Sequence, residues 1–411
     1  MKADMRIPLL TLASCAALAL CSLPAQAGSD FTVTALEFHG KIPGVEKPAN
    51  TDIVMPFVHG TDPRVEANIN DALFTGQLEV AAPRHPGKFL SEADGIKIDG
   101  LASQAFTTLR NDERILSIEF TGEGCGAYCE NFTTHYNFDL QTGRQLSLDE
   151  LITVRGQQAI ARKLAEAKRD AYRTMIDKLN AELKQERASK AKADRDMGDE
   201  TQERIDFNKE CLDQANTTLA ELGKTKEAPL AYYTDFALGA DQFILQLGRC
   251  SNHAMRAIDD VGELSFDLTY AELKPHLTSY GYGLLFKDAR PQVPGSDIPL
   301  LCTLFKDSKA QSPCGIYGIF LHGTMDGKTA ITMRLFKNAN NEVNGAYYYD
   351  KYRQLIPLSG HERGGKLELA EELKTLPDSQ AQTAALHLTV TGNHVQGKWV
   401  GKSEHQIDVA P

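Results

Sequence analysis

The sequence lacks the short motifs that reveal common catalytic sites. It contains no G-x-S-x-G elbow, no H-E-x-x-H pair and no phosphate-binding loop, so the enzyme classes that depend on these motifs are excluded as direct interpretations. His361 and Glu362 are followed by Arg363 and two glycines, which leaves no second zinc ligand at helical spacing. We therefore predict no catalytic residue, no cofactor and no metal site. Only an unfamiliar active site assembled across the fold would make the chain an enzyme.

Positive charge is also scarce. The formal net charge is −11 at pH 7, with 55 acidic residues against 44 basic ones. This excess excludes nucleic acid as the default partner and would favour encounter with a cationic one. An acidic protein without any charged partner has the same composition, and this alternative stays open. With 411 residues, of which 42% are hydrophobic, the chain is long enough for two or three cores.

The sequence has a single long apolar run, and it lies near the N-terminus. It covers residues 7–23, follows two basic residues and precedes a small-x-small pattern that ends at Ala27. These features predict a signal peptide over residues 1–27 with cleavage after Ala27, and a lipoprotein signal at Cys15 is the alternative. No other run could span a bilayer. We therefore expect a periplasmic or secreted protein whose mature chain carries a net charge of −12.

The sequence contains few cysteines, and export from the cytoplasm decides whether they form disulfides. Six remain after residue 27, and thiols persist as disulfides outside the cytoplasm. The sequence alone allows about fifteen connectivities. Metal binding is the weaker interpretation, since no histidine follows the first two cysteines at zinc-ligand spacing. Pairing across the shortest loops favours three bridges: Cys125 with Cys129, Cys211 with Cys250, and Cys302 with Cys314.

The clearest local pattern lies in residues 136–152. Apolar and polar residues alternate over its first five positions, which predicts a strand, and a Thr-Gly turn follows. Ser147 and Glu150 have the spacing of a capping box, so a helix is predicted to begin at Ser147. Leu146 and Leu151 would pack together at this helix start.

A long polar insert follows at residues 157–222. Apolar residues recur there every three or four positions on a charged background, with 16 basic and 15 acidic residues between Arg155 and Glu227. This pattern predicts a solvated helical hairpin, and Gly198 with Asp199 marks its expected turn. A partner-binding coiled coil is the alternative.

Two polar loops supply the candidate binding residues. The first, over residues 122–130, fits the dinucleotide pattern G-x-G-x-x-A, but another strand follows it instead of a helix, so we interpret it as a disulfide-pinned loop. The second lies at residues 250–260 and is rich in groups that can either bind a ligand or satisfy one another. The candidate residues in the two loops are Tyr128, Glu130, Asn252, His253, Arg256 and Asp259.

The C-terminal part has the pattern of an all-β module. Pro and Gly residues predict a linker over residues 289–300, and residues 301–411 contain short strand patterns separated by turn residues. We expect an up-and-down barrel, loosely similar to the calycin type, that either encloses one small ligand or is filled by its own side chains. Its strands are predicted near residues 315–322, 329–336, 343–349, 354–358, 366–370, 384–390, 395–400 and 405–409.

Aromatic residues repeat in this module. Gly345 with Tyr347 and Gly397 with Trp399 form a Gly-x-aromatic pattern, in which the glycine would let the strand bend and the ring would close the barrel end. A tyrosine run of Tyr347, Tyr348, Tyr349 and Tyr352 could form a carbohydrate platform. Because neighbouring strand residues face opposite sides, at least one of these rings is predicted to be core.

Several blocks together resemble a known family. INDALF at 69–74, HYNFDLQTGRQLSLDELI at 135–152, and FILQL leading to LSFDLTYAELKPHL at 243–277 look like the extracytoplasmic domain shared by the anti-sigma factor RsiV and the peptidoglycan deacetylase PdaC. The resemblance implies an α+β domain at the cell envelope, here assigned to residues 28–288. In that family the domain is accessory and non-catalytic, and in the sensing branch it binds lysozyme.

The chain departs from that family at one loop, where Gly124 to Cys129 stands in place of a Gly-Gly-Ala-His type sequence. It also shows no pattern of a transmembrane anchor or of a deacetylase domain. Anti-sigma and deacetylase activities therefore do not follow from the resemblance.

One fold and three functions are consistent with these patterns. The predicted fold is an α+β domain, with an antiparallel sheet backed by helices and an inserted helical hairpin, followed by a separate all-β meander barrel. The leading hypothesis is a secreted, non-enzymatic binding protein of the cell envelope that recognises lysozyme, another cationic envelope protein or a peptidoglycan fragment. The alternatives are a small-ligand carrier built on the barrel and an envelope hydrolase.

Overall fold

The structure is a computed structural model. It describes residues 30–38, 52–83, 86–87, 89–90, 101–125, 129–189, 192–222, 224, 228–230, 235–286, 316–338, 340–372 and 384–411. The predicted signal peptide, the predicted linker at 289–300, and both Cys302 and Cys314 lie outside the described residues.

A seven-stranded sheet forms the centre of the N-terminal domain. Its strands in chain order are β1 (Thr32–Phe38), β2 (Asp52–His59), β3 (Phe89–Leu90), β4 (Leu101–Asn111), β5 (Ile115–Cys125), β6 (Cys129–Asp139) and β7 (Arg144–Gln145). Their spatial order is β3-β1-β2-β4-β5-β6-β7. Neighbours are antiparallel except for two parallel pairs, β1 with β3 and β2 with β4.

Helix α1 (Pro63–Leu78) packs against this sheet. The Asp62 carboxylate caps it by accepting a hydrogen bond from the Arg64 N–H at 2.9 Å. Pro63 lies in the first turn, where its missing N–H costs nothing because that position has no intrahelical partner. The apolar side of the helix, which includes Ile69, joins the core of the sheet.

The predicted helix start at Ser147 is confirmed. Helix α2 (Leu148–Leu151) follows it, and the Ser147 N–H donates to Glu150 Oε2 at 3.2 Å. Leu146 and Leu151 are both buried in one apolar cluster beneath this helix start. The sequence pattern therefore predicted this corner of the domain correctly.

The inserted hairpin consists of α3 (Val154–Ala188) and α4 (Lys192–Glu221). The predicted turn at Gly198 and Asp199 is wrong, because both residues lie inside α4. Gly198 is buried there, and a Cβ on it would lie 3.5 Å from Leu183 Cδ1 on α3. The glycine thus marks a place where the two helices approach closely instead of a chain reversal.

A smaller sheet completes the N-terminal domain in the order β10-β9-β8. Asn137 on β6 joins the two sheets: its side chain donates to the Phe236 carbonyl at 2.7 Å and accepts from the Leu238 N–H at 2.9 Å. Because Asn137 is buried, these bonds also satisfy an otherwise costly amide. The elements of this region are β8 (Phe236–Leu238), β9 (Gln242–Leu247), β10 (Leu264–Thr269), α5 (Tyr270–Leu273), α6 (Ser279–Leu285) and the 3₁₀ turns His253–Ile258 and Lys274–His276.

The C-terminal module is a closed eight-stranded barrel of consecutive antiparallel strands. The strands are β11 (Phe320–Met325), β12 (Thr329–Lys337), β13 (Glu342–Tyr349), β14 (Ile356–Arg363), β15 (Lys366–Glu371), β16 (Ala385–Thr391), β17 (His394–Val400) and β18 (Glu404–Ala410). Each overlaps a predicted strand, and the largest differences are at the start of β11 and at the end of β14. Together with the sheets and the hairpin, this barrel confirms the predicted fold class.

Glycines let the barrel strands approach one another closely. A Cβ on Gly345 would lie 2.1 Å from the Arg334 carbonyl oxygen, and one on Gly397 would lie 2.1 Å from the His387 carbonyl oxygen. No ordinary side chain fits at such distances, so both positions of the Gly-x-aromatic repeat require glycine.

The two aromatic residues of that repeat meet at a buried carboxylate. The Tyr347 hydroxyl and the Trp399 indole N–H each donate to Glu371 Oε1 at 2.6 Å. Burial, with the hydrogen bond and charge of Glu371, raises the pKa of Tyr347. Tyr347 and Tyr348 are both buried, on opposite faces of β13, whereas Tyr352 is exposed. Two rings of the predicted carbohydrate platform, those of Tyr347 and Tyr348, are therefore buried and cannot stack on a sugar.

Two of the three predicted disulfides are present. Cys125 is bonded to Cys129, and Cys211 is bonded to Cys250. The second bridge ties α4 to the loop after β9 and closes about forty residues of chain, so it should contribute roughly 2 to 4 kcal/mol. Within the described residues, no helix combines the length and the apolar character needed to cross a bilayer.

Candidate functional site

The polar loops predicted to bind a ligand are brought together, but their groups bond to one another. Glu130 forms an ion pair with Arg249 at 2.7 Å and a longer one with Arg256 at 3.5 Å. Tyr128 lies outside the described residues, as does the side chain of His253. Glu123 lies close to Cys125 and Cys129, but the disulfide removes both thiolates as metal ligands.

The other two candidates of these loops hold the backbone. Asp259 accepts hydrogen bonds from the Ser251 and Gly262 N–H groups at 3.0 and 3.1 Å. These bonds and the one from Tyr172 lower the pKa of Asp259, even though its burial acts in the opposite direction. Asn252 caps the 3₁₀ turn by accepting from the Met255 N–H at 3.0 Å. A binding role for these loops stays a prediction.

A second region, the junction between the two domains, is built differently. Phe320 and Tyr348 of the barrel are buried in the apolar core of the N-terminal sheet. The Arg353 guanidinium donates to the carbonyl oxygen of Ala81 at 2.6 Å, and Val80 pairs with Gln354 as an isolated antiparallel bridge. The barrel is thus seated on the sheet and α1 through both apolar and polar contacts.

A cavity of about 460 Å³ remains within this junction. A volume of this size falls in the range of small-molecule sites. Its walls are mainly apolar and come from α1, from the segment around α2 and from the outer face of β11, β12 and β13. The lining includes Ala72, Gln145, Phe320, Arg334, Phe336 and Ala346.

Arg334 is the distinctive group of this cavity. Met333 and Leu335 point into the barrel, so alternation along β12 places Arg334 on the outer face, toward the N-terminal domain. Its guanidinium lies 5.0 Å from the ring centre of Phe320 and 4.5 Å from that of Phe336. The residue is only 7% exposed. It therefore buries a positive charge between two aromatic rings.

Hydrogen bonding of Arg334 is incomplete. Its Nη2 donates to Gln145 Oε1 at 2.9 Å, but its Nε is buried without a partner among the described residues. No carboxylate within the described ranges forms an ion pair with it. Burial therefore lowers the pKa of Arg334 to about 9, and the attraction of Tyr136 and Asp71 only partly offsets this effect.

The other charged groups around the cavity have partners. Lys337 Nζ lies 2.6 Å from Glu362 Oε2. Glu342 accepts a hydrogen bond from the Asn338 amide at 2.8 Å, and Asp149 accepts one from the Gln157 amide at 2.6 Å. Among the described residues of the lining, Arg334 is the charged side chain that is buried and has a side-chain nitrogen without a hydrogen-bond partner.

A second cavity of about 640 Å³ adjoins the first. The two share Thr75, Gly76, Ala346 and Leu355 in their linings. The second cavity extends toward the exposed end of the junction and carries two acidic residues but no basic one in its lining. Arg334 and Lys337 line the first cavity together with Asp149 and Glu342, whereas the charged residues that line the second are Glu79 and Glu372.

The sequence did not identify this site. Alternation along β12 could have assigned Arg334 to the outer face of the barrel, opposite Met333 and Leu335. What alternation could not show is that the N-terminal domain covers this face and removes Arg334 from water. The barrel interior, which was the predicted ligand space, is filled by apolar side chains such as Leu321, Ile331 and Leu386.

Comparison with solved structures gives a distant likeness. The solved structure of a DUF3298 family member from Bacteroides fragilis is similar to this chain with a TM-score of 0.31 and 13% sequence identity, over 63% of this chain and 97% of the other. No protein-family model matches the chain, and no curated protein matches it. The resemblance to the domain of RsiV and PdaC stays a prediction.

Proposed function

We propose that this chain is an extracytoplasmic binding protein that holds a small-molecule ligand in the cavity between its two domains. The observation that carries the proposal is the junction itself: a space of about 460 Å³ with mainly apolar walls and one buried, incompletely bonded arginine. Binding sites combine apolar walls with a few polar groups that orient the ligand.

The cell envelope is the proposed setting. The N-terminal residues have the pattern of a signal peptide. Two disulfides support the same setting, because such bridges persist in oxidising compartments. The proposal moves the predicted ligand space from inside the barrel to its outer face, where the N-terminal domain completes it.

A cavity-filling variant tests the proposal. Ala346 lies in the lining of both cavities, so Ala346→Trp should fill their shared part. Val400 is exposed on β17, and Val400→Trp adds the same indole outside the junction. Ligand-observed NMR with a panel of neutral, anionic and cationic compounds, including peptidoglycan fragments, should find binders that Ala346→Trp loses and Val400→Trp keeps. If no compound distinguishes the two variants, the proposal is wrong.

A cationic protein such as lysozyme is the second candidate partner. The observation in its favour is the net charge of −11, because charge complementarity accelerates and directs encounter. Retention on immobilised lysozyme should be strong at low salt and weak at high salt. Absence of retention at low salt would exclude lysozyme and leave the small-molecule proposal unaffected.

A further inference from the structure

We infer that the ligand of the interdomain cavity is an organic monoanion with an elongated apolar body, whose carboxylate binds Arg334. This inference rests on the proposed function and adds the chemical class of the ligand.

Arg334 carries a buried charge whose hydrogen bonding is incomplete. The residue is 7% exposed and uses Nη2 for a single hydrogen bond to Gln145. Its Nε is buried without a hydrogen-bond partner within the described parts of the chain. Leaving a buried cation in this state is costly. A ligand that brings an opposite charge would remove this cost at the moment of binding, which a neutral ligand cannot do.

The walls define the rest of the ligand. Phe320 and Phe336 flank the guanidinium, and Ala72 on α1 lies in the same lining. An apolar group placed beside these side chains gains the free energy of leaving water. The adjoining second cavity extends the space in one direction. An elongated apolar body therefore fits better than a compact one.

The far end of the space limits the ligand to a single anionic group. Glu79 and Glu372 lie in the lining of the second cavity, and no basic residue lies there. A second carboxylate on the ligand would face these acidic side chains and be repelled. The anionic end must therefore lie at Arg334, and the other end must be neutral or cationic.

Three probes of equal chain length separate charge from apolar contact: octanoate, octan-1-ol and octylammonium. Isothermal titration calorimetry on the full mature chain should show that octanoate binds at least about tenfold more tightly than octan-1-ol, since a buried charge-assisted contact is worth about 1.4 kcal/mol or more. Octylammonium should bind more weakly than octanoate, because its charge has the same sign as that of Arg334.

Variants test whether Arg334 is the residue that binds the carboxylate of octanoate. Arg334→Gln should lower octanoate affinity at least about tenfold and abolish the preference for octanoate over octan-1-ol. Arg363 is exposed at the end of β14, so Arg363→Gln is the matched control and should bind all probes as the unaltered protein does. Ala346→Trp should lose both octanoate and octan-1-ol. The comparison of the three probes on the unaltered protein stands even where a variant folds poorly.

The outcomes are distinguishable. Equal affinity for octanoate and octan-1-ol, or unchanged octanoate affinity in Arg334→Gln, overturns the anion inference. If Ala346→Trp still removes binding in that case, the proposed cavity function stands without it. Absence of octanoate binding to the unaltered protein also overturns the inference, and the compound panel described above then decides the proposed function separately.

Discussion

Two buried arginines within one region of the molecule have opposite surroundings. Arg144 on β7 is 1% exposed and forms an ion pair with Glu150. Its Nη2 donates to the Tyr280 hydroxyl at 3.0 Å, and that hydroxyl donates to Asp139 at 2.7 Å. Arg334 on β12 is buried almost as fully but has one neutral partner, Gln145. Both side chains lose their water, and among the described residues only Arg144 gains a carboxylate in an ion pair.

The pKa values of the two groups express this difference. Burial alone would lower the pKa of both arginines. At Arg144, the charge and hydrogen bond of Glu150, together with Tyr280, more than reverse this effect, and the pKa is raised. At Arg334 burial prevails and the pKa is lowered to about 9. The contrast indicates that Arg144 has a structural role, whereas Arg334 has surroundings typical of functional groups.

Removal of Arg144 should have the largest effect. In Arg144→Met, Glu150 would remain buried without its counter-charge, which should lower the free energy of unfolding by roughly 3 to 5 kcal/mol. Urea denaturation followed by circular dichroism measures this loss. Arg363→Met, at an exposed position of the barrel, is the control and should change stability by less than about 0.5 kcal/mol. A loss below about 1 kcal/mol in Arg144→Met would show that the network is not structural.

Removal of Arg334 should change the free energy of unfolding in the opposite direction. In Arg334→Met, an unbranched apolar side chain would occupy the space between Phe320 and Phe336 without the desolvated charge. We expect the free energy of unfolding of the unliganded protein to rise by roughly 1 to 2 kcal/mol. The same denaturation experiment measures it. A loss comparable to that in Arg144→Met would mean that Arg334 is stabilised within the fold and would remove the contrast between the two arginines.

The sequence predicted the elements that depend on local patterns. The capping box at Ser147, the eight barrel strands and the bridge between Cys125 and Cys129 all follow from residues close in the chain. Gly198 was misinterpreted, since a glycine in a turn and a glycine at a helix contact have the same local pattern. Only the packing of α3 against α4 distinguishes the two.

The candidate site depends on contacts between distant residues, and these could not be predicted. Gln145 and Arg334 are 189 residues apart in the chain and meet only because the barrel is seated on the sheet. A strand pattern specifies which side chains face outward from a barrel. It does not specify which outward face another domain covers, and that coverage turns an ordinary surface arginine into a buried one.

A third buried basic side chain, that of His135, extends the comparison through its pH dependence. His135 lies between Asp235 and Glu119, with ring nitrogen to oxygen distances of 2.5 and 3.1 Å. Burial alone would lower the pKa of His135, but Asp235 and then Glu119 reverse this effect and raise it. A raised pKa in the folded state stabilises the protein fully below the unfolded value of about 6.5, and this stabilisation is lost as the pH rises through the folded value.

We therefore expect the difference in unfolding free energy between the unaltered protein and His135→Gln to be on the order of 1 kcal/mol larger at pH 6 than at pH 9. Denaturation at a series of pH values measures it, and subtracting the curve of the variant removes the contribution of titrating groups that lie far from His135. A difference that grows with pH would contradict the assigned sign and show that His135 is neutral in its pocket.

The substitution with the smallest expected effect on stability is one that gives Arg334 a carboxylate partner. Gln145→Glu has nearly the same shape and supplies a carboxylate at the atom that now accepts from Arg334. The attraction between the two charges should be largely offset by the desolvation of the new carboxylate, so stability should change by less than about 1 kcal/mol. Octanoate affinity should nevertheless fall at least about tenfold, because the internal carboxylate would occupy the guanidinium and repel the ligand.

Calorimetry measures the affinity, and denaturation measures the stability. Gln145→Met is the control variant, because it removes the hydrogen bond without adding charge. If Gln145→Glu bound octanoate as the unaltered protein does, the ligand would not engage Arg334, and the two arginines would differ in surroundings without differing in role.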